Sequence, residues 1–200
     1  MNNTKFNTQH STLKSIPCVI LSGGKSSRMG KDKSLLPFGD YSSMIEYQYK
    51  RLKPFFKNIY ISSKTNKFNF NADIIYDDSD VYSPMIALKS ILEYLTEEEK
   101  VFIITVDTPM VSIEAIEHLI HNSKDYDATV AQSPTKTHNL CGVFTHSLYK
   151  SIVQVVKNDI HKINFLLKNS NVNYVIFDTD DQFININQPY EYENLLATYK

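Results

Sequence analysis

The chain has 200 residues, 42% of them apolar, and a formal net charge of −1. That length suits one domain with a sizeable core, and a charge so close to zero disfavours a protein that wraps duplex nucleic acid. No apolar run approaches the ~18 residues needed to span a bilayer, and the polar start, Met1 to Ser15, lacks the apolar stretch of a signal peptide.

Residues 1–15 are therefore expected to form a flexible leader, and 16–200 a single domain in a reducing cytoplasm. The first strand is predicted at about Cys18 to Ser22. It is continuously apolar, as in a strand covered on both faces. Cys18 and Cys141 both lie in apolar segments and read as small buried thiols. Leu35-Leu-Pro-Phe38 should supply apolar anchors, with Pro37 arguing against a regular helix and Gly39-Asp40 forming a turn. Ser43-Met-Ile-Glu46 has the pattern of a reciprocal helix cap, predicting a helix from Met44 to about Lys53. Strands follow at Asn58–Ser63 and Asp73–Tyr76. Pro84 opens a helix over Met85 to Leu95, and Glu97 to Lys100 reads as a solvated charge run. Val101 to Val106 is β-branched or aromatic throughout and is the most strand-like stretch. Ser112 should cap a helix to about His121, with His118 and His121 exposed. Further strands are expected at Ala128–Ala131 and Cys141–Phe144, and helices at Leu148–Lys157 and Ile160–Leu167. A strand at Val172–Phe177, a short one at Phe183-Ile184 and a helix from about Tyr190 close the chain.

Strands alternating with helices at this spacing imply βαβ units and a mostly parallel, twisted sheet with helices on both faces, a three-layer α/β fold. Such sheets bind ligands at the carboxyl ends of their strands. Two features fall there. One is Leu21-Ser-Gly-Gly-Lys-Ser-Ser-Arg-Met-Gly-Lys-Asp-Lys33, which holds three of the five glycines and one of the two arginines. Glycines let backbone amides approach an anion, and cations then hold it. The other is Asp107, at the end of the most strand-like stretch.

The loop does not match a Walker P-loop, which needs GxxxxGK followed by Ser or Thr; Gly24 and Gly30 are too far apart, and Asp32 follows Lys31. Adjacent Gly23 and Gly24 also break the GxGxxG dinucleotide pattern. An ordinary strand-to-helix turn would not explain the concentration of glycines and cations. A nucleotidyltransferase loop would. Its amides, Arg28 and Lys33 would meet the charge of a triphosphate and its leaving pyrophosphate. Asp107 would hold Mg²⁺, which favours one or two carboxylates with phosphate oxygens and water; its alternative role is a turn or helix cap.

Val19 to Phe38 closely resembles the N-terminal signature of the molybdenum cofactor guanylyltransferases. Asp107-Thr-Pro, Thr137-His138 before Leu-Cys-Gly-Val-Phe, and Asn185-Ile-Asn187 before Gln-Pro resemble the family's later motifs in the same order. The resemblance implies a Rossmann-like nucleotidyltransferase fold. It also implies transfer of GMP from GTP to molybdopterin carrying molybdenum, with release of pyrophosphate and Mg²⁺ as cofactor. Leu21, Ser22 and Gly23 would meet the nucleotide through backbone groups, with Gly24 shaping the turn. Lys33 would bind GTP and Arg28 its phosphates. Ser62 (or Ser63) stands where the family often has Asn, and Asp77 matches a nucleotide-contacting aspartate. Asp107 would bind both Mg²⁺ and GTP, and His138, Asn185 and Asn187 would lie on the molybdopterin side. Implied partners are molybdopterin-insertion proteins and apo-molybdoenzymes, with no nucleic acid and no membrane.

Three departures stand out. Ser83-Pro-Met-Ile-Ala87 replaces the family's Gly-Pro-Leu-Ala-Gly, Asn139 replaces a proline after the histidine, and Ser62 weakens one nucleotide contact. Rival readings are a cytidylyltransferase or sugar-phosphate nucleotidyltransferase with the same loop, and a non-catalytic cofactor carrier with no need for Asp107.

Overall fold

The computed structural model describes residues 13–23, 30–77 and 79–199. Seven strands make one sheet: β1 (Cys18–Leu21), β2 (Ile59–Ser63), β3 (Asp73–Tyr76), β4 (Lys100–Thr105), β5 (Ala128–Gln132), β6 (Thr137–Thr145) and β7 (Val172–Ile176). Their order is β3-β2-β1-β4-β6-β5-β7. All neighbours are parallel except β6, which runs antiparallel to both β4 and β5.

β1 sits between β2 and β4 and is buried along its whole length. Its side chains alternate between two cores. Cys18 and Ile20 join α1 (Met44–Leu52) and α3 (Ile113–His121) on one face. Val19 and Leu21 join α2 (Pro84–Tyr94), α4 (Tyr149–Lys157) and α5 (Ile163–Lys168) on the other. That alternation is why the strand reads as a continuous apolar run. The last helix, α6 (Pro189–Thr198), lays Tyr192, Leu195 and Leu196 on the first face, followed by Tyr199.

Serines start three helices, Ser43 and Ser112 as expected and Ser83 in addition to the expected Pro84. Ser43, Ser83 and Ser112 each accept a bond from the amide three residues on, satisfying a donor the helix cannot. The reciprocal half of the Ser43 cap is different from expectation. The Glu46 carboxylate accepts from the amide and hydroxyl of Ser42, at 3.2 and 2.6 Å, rather than from the Ser43 amide.

Several other expectations need correction. Phe183 and Ile184 are not a strand: Asp181–Phe183 is a short 3-10 turn that buries Phe183 completely. Leu35 is no anchor, being 40% exposed, whereas Phe38 is fully buried. Lys100 belongs to β4 and donates to the Ser123 carbonyl at 2.9 Å, so the charge run before it is shorter. The second of the paired helices starts at Ile163, after Asp159 adopts a left-handed φ of 57°. Leu13, assigned to the leader, is fully buried in a 3-10 turn.

Two topological features place the site. The chain leaves β1 toward β2 and β3, then returns on the opposite side as β4, so the carboxyl ends of β1 and β4 flank a crevice. Beside it, Val130 pairs with Gly142 but Ala131 pairs with His138. β6 therefore carries Asn139, Leu140 and Cys141 as an extra loop of backbone, a bulge that re-aims the strand toward the crevice.

Candidate active site

The end of β1 is tied to both neighbours before the glycine loop begins. The Ser22 amide donates to the Ser62 carbonyl at 2.9 Å, and the Val106 amide donates to the Leu21 carbonyl at 3.0 Å. Gly23, next in the chain, lines a cavity of about 430 Å³ at this rim, a volume suited to a small-molecule ligand. A Cβ on Gly23 would meet no atom of the described residues within 4 Å. Packing against the described residues does not demand glycine there; the place a side chain would take opens into the cavity.

Lys33 returns the chain to the crevice, where its ammonium meets three acceptors from distant parts of the described chain. It meets Asp107 Oδ2 at 2.5 Å, the Ile186 carbonyl at 3.2 Å and Asn187 Oδ1 at 3.2 Å. The glycine-loop segment, the end of β4 and the C-terminal motif thus converge on one charge. Asp107 keeps one oxygen in reserve: Oδ1 is buried and has no hydrogen-bond partner among the described residues. A buried carboxylate oxygen left bare is costly, and a divalent cation is a ligand that would satisfy it. Among the described residues no cluster of three or more His, Cys, Asp or Glu could hold a metal. A cation at Asp107 would complete its shell with phosphate oxygens and water, as Mg²⁺ does.

On the β2–β3 side, Lys64 Nζ lies 3.3 Å from Asp77 Oδ2 and 4.9 Å from the Tyr82 ring centre, and it donates to the Ser79 and Val81 carbonyls. One ammonium gathers the loop after β3. Lys67 pairs with Asp32 and donates to the Ser22 carbonyl at 3.4 Å, so it joins the two flanks of the glycine loop. Burial opposes ionisation of Asp32, but hydrogen bonds from Lys67 and Ser34 outweigh it and hold the carboxyl below its usual range.

On the β6 side, His138 is 7% exposed and stacks on Phe183, with ring centres 4.6 Å apart. Its Nε2 lies 2.9 Å from Ser133 Oγ, which in turn donates to Asp180. The serine has one proton, and giving it to Asp180 leaves Nε2–H to donate to the serine. Burial first, then the nearby Lys136 cation, lowers the His138 pKa to about 4, against an opposing pull from Asp180. This histidine is neutral at physiological pH.

The cavity is thus lined by Leu21, Gly23, Lys33, Ser62, Asp77, Asp107, His138 and Asn185, all expected from the sequence. Ser22 lies beside it, held to Ser62, and Asn187 reaches it through Lys33. Gly24 and Arg28 lie outside the described residues. Ser63, Lys64, Tyr82, Ser83, Ala87, Lys136, Asn139 and Leu140 also line it. Ser83 and Ala87, where the resemblance has glycines, stand in the wall itself.

Residues 18–172 match the family model described as a MobA-like NTP transferase domain. The chain is 37% identical over 191 residues to the molybdenum cofactor guanylyltransferase of Campylobacter jejuni subsp. doylei, covering 94% of this chain and 99% of that relative. It belongs to the MobA-like NTP transferase family. Two solved members of this fold align over 92% of the chain and 98% of their own. The Archaeoglobus fulgidus molybdopterin-guanine dinucleotide biosynthesis protein A has a TM-score of 0.77 at 19% identity. A Mycobacterium tuberculosis protein, solved in complex with manganese, has a TM-score of 0.67 at 13% identity. The αβα sandwich with its mixed, mostly parallel sheet is the fold they share.

As a MobA-like transferase, the chain is a nucleotidyltransferase. The sequence missed Lys64, Lys67 and Lys136, which look like ordinary surface lysines until the loops are folded. It also missed Gln48 and Arg51 of α1. Gln48 lies four residues from both Met44 and Leu52, on the buried face of the helix. That spacing was the available signal.

Proposed function

We propose that the protein transfers GMP from GTP to the terminal phosphate of molybdenum-bearing molybdopterin, forming the guanine dinucleotide cofactor and pyrophosphate. The observation that carries this reading is the meeting of Lys33, Asp107 and Asn187 at one rim, 2.5 to 3.2 Å apart, in a chain of this family. The described residues from Leu13 on act as one domain, with the nucleotide entering over β1 and β2. Leu21, Ser22 and Gly23 present backbone groups to it, and Ser62 and Asp77 contact it from the second and third strands. Asp77 is supported by its place in the wall and its ion pair with Lys64. His138, Asn185 and Asn187 face the acceptor. A neutral His138, its Nε2 held by Ser133, can orient the acceptor through Nδ1 without adding charge.

Asp107 would hold Mg²⁺ through its unpartnered Oδ1. When bound, that cation neutralises triphosphate charge and polarises the α-phosphoryl group. Lys33 shifts its ammonium between Asp107 and phosphate oxygens, and Arg28 meets charge on the leaving side. No protein nucleophile is needed; the residues orient the two phosphates in line and stabilise developing charge. Both cysteines are free and buried, and no described helix is long and apolar enough to cross a membrane. We place the reaction in the cytoplasm, with molybdopterin-insertion proteins and apo-molybdoenzymes as partners.

The test is pyrophosphate release with molybdopterin and each nucleoside triphosphate. GTP should support it and CTP should not; the reverse result overturns the assignment. Asp107→Ala should lower turnover by about 10²-fold or more, and unchanged turnover would remove Asp107 from the chemistry.

A further inference from the structure

A buried polar network lies under the Asp107 turn. Gln48 is fully buried in α1. Its Nε2 donates to the Thr105 carbonyl at 3.3 Å and to the Thr108 carbonyl at 3.2 Å, one on each side of Asp107. Its Oε1 accepts from Arg51 Nη2 at 2.8 Å, and Arg51 Nη1 donates to the Val111 carbonyl at 2.6 Å. One amide and one guanidinium thus tie down three carbonyls along the strand-to-helix turn that carries Asp107. The Thr108 hydroxyl adds a bond to the Thr105 carbonyl at 3.1 Å.

The arrangement is expensive. Arg51 has no carboxylate within ion-pair distance among the described residues, and its Nε is buried without an acceptor. Burying a cation with only carbonyl dipoles and the Tyr47 ring, 5.7 Å away, in place of a carboxylate costs more than an apolar pair of the same size. Packing alone would therefore be served better by leucine and methionine at these two positions. What the polar pair supplies instead is direction. Carbonyls 105 and 108 are drawn down toward α1, which fixes the peptide units between them and the side chain they carry.

We propose that Gln48 and Arg51 are positioning residues for the metal carboxylate. They set the backbone on both sides of Asp107, so that Oδ2 meets Lys33 while Oδ1 is left for a divalent cation. This rests on the reading that Asp107 holds the cation. Groups that orient a metal ligand through hydrogen bonds typically govern 10–100-fold in metal affinity.

The experiment measures Mn²⁺ binding by electron paramagnetic resonance in the presence of GTP, together with thermal melting, in the full chain. Gln48→Glu keeps the shape and can pair with Arg51, but it turns an oxygen toward two carbonyls that need a donor. The expected result is a fold that melts cooperatively and binds Mn²⁺ about 10–100-fold more weakly. Gln48→Met, which removes both bonds, should give the same loss. Wild-type Mn²⁺ affinity in a folded Gln48→Glu protein overturns the proposal. So does failure of both variants to fold, which would make the pair core packing. Asp107→Ala separates the two levels. If it loses Mn²⁺ binding while Gln48→Glu does not, only the positioning role falls. If Asp107→Ala binds Mn²⁺ like the wild type, the metal role of Asp107 falls and the positioning role with it.

Discussion

Gly23 and His138 show how single residues separate binding from stability. Among the described residues nothing occupies the place of a Gly23 side chain, and its backbone is not left-handed. Gly23→Ala should therefore leave the unfolding free energy within about 0.5 kcal/mol of wild type. The added methyl would project into the space the nucleotide backbone must approach, so the KM for GTP should rise about tenfold or more. Equal KM values would mean that the ligand does not come close to Gly23. His138 has the opposite character, being built into the protein's own network. Its native pKa of about 4 lies below the ordinary value of 6.5. The unfolded chain thus binds more protons between those two values. Stability from the neutral imidazole is complete above about pH 6.5 and is lost as pH falls toward 4. Melting temperature measured from pH 8 to 4 should drop through that window, and His138→Phe should flatten the drop. An identical slope in the variant would show that the imidazole is not held neutral.

At the level of elements, the bulge between β5 and β6 is the tightest feature of the sheet. A Cβ on Gly142 would sit 2.0 Å from the Thr129 carbonyl oxygen and 2.8 Å from Val130 Cα. Backbone would have to move, because neither atom belongs to a flexible side chain. Gly142→Ala should cost about 3 kcal/mol, read from urea unfolding. It should also disturb the Ala131–His138 register, and a wild-type midpoint would contradict the packing. This element also marks where the sequence stopped being legible. Cys141–Phe144 was readable as a strand from its apolar residues. Neither its antiparallel direction nor its extension back to Thr137 has a local signature; both come from pairing with β4 and β5. The helices were easier, because serine caps and proline act within four residues. Phe183-Ile184 misled because two adjacent apolar residues look alike in a strand and in a turn that plugs a core. At the site, glycines and cations out of proportion marked the rim, and a strand-terminal aspartate marked the same rim a second time. Lys64 and Lys67 gave no such signal, since a lysine's partner is set by a loop and not by its neighbours in sequence.

For the whole molecule, the C-terminal segment closes over the residues before and within α1. Tyr199 follows α6 and packs on Phe38 and Tyr47, with ring centres 4.7 and 5.5 Å away. At the other end of that helix, the Glu191 carboxylate accepts from the Asn187 and Gln188 amides at 2.6 and 2.8 Å. α6 thereby fixes Asn187 beside Lys33, although none of its own residues is fully buried. Tyr199→Ala should cost about 2 kcal/mol by removing partly buried aromatic surface. In a chain of this length that lowers the melting temperature by about 4–8 °C. It should also weaken GTP binding by loosening Asn187. A stability loss with GTP affinity intact would show that α6 and the site are uncoupled.

The Lys33 ammonium has consequences for how the protein is made. Its acceptors lie 74, 153 and 154 residues further along the chain. At roughly 5–20 residues per second, a ribosome takes on the order of ten seconds or more to travel from Lys33 to Asn187. Throughout that interval the nascent chain carries Lys33 without its full set of acceptors. The catalytic centre is among the last parts to be completed. Premature termination between Asp107 and Ile186 should yield a product with the glycine loop and Asp107 but without the Ile186 and Asn187 acceptors of Lys33, so translation itself acts as the final checkpoint on this site.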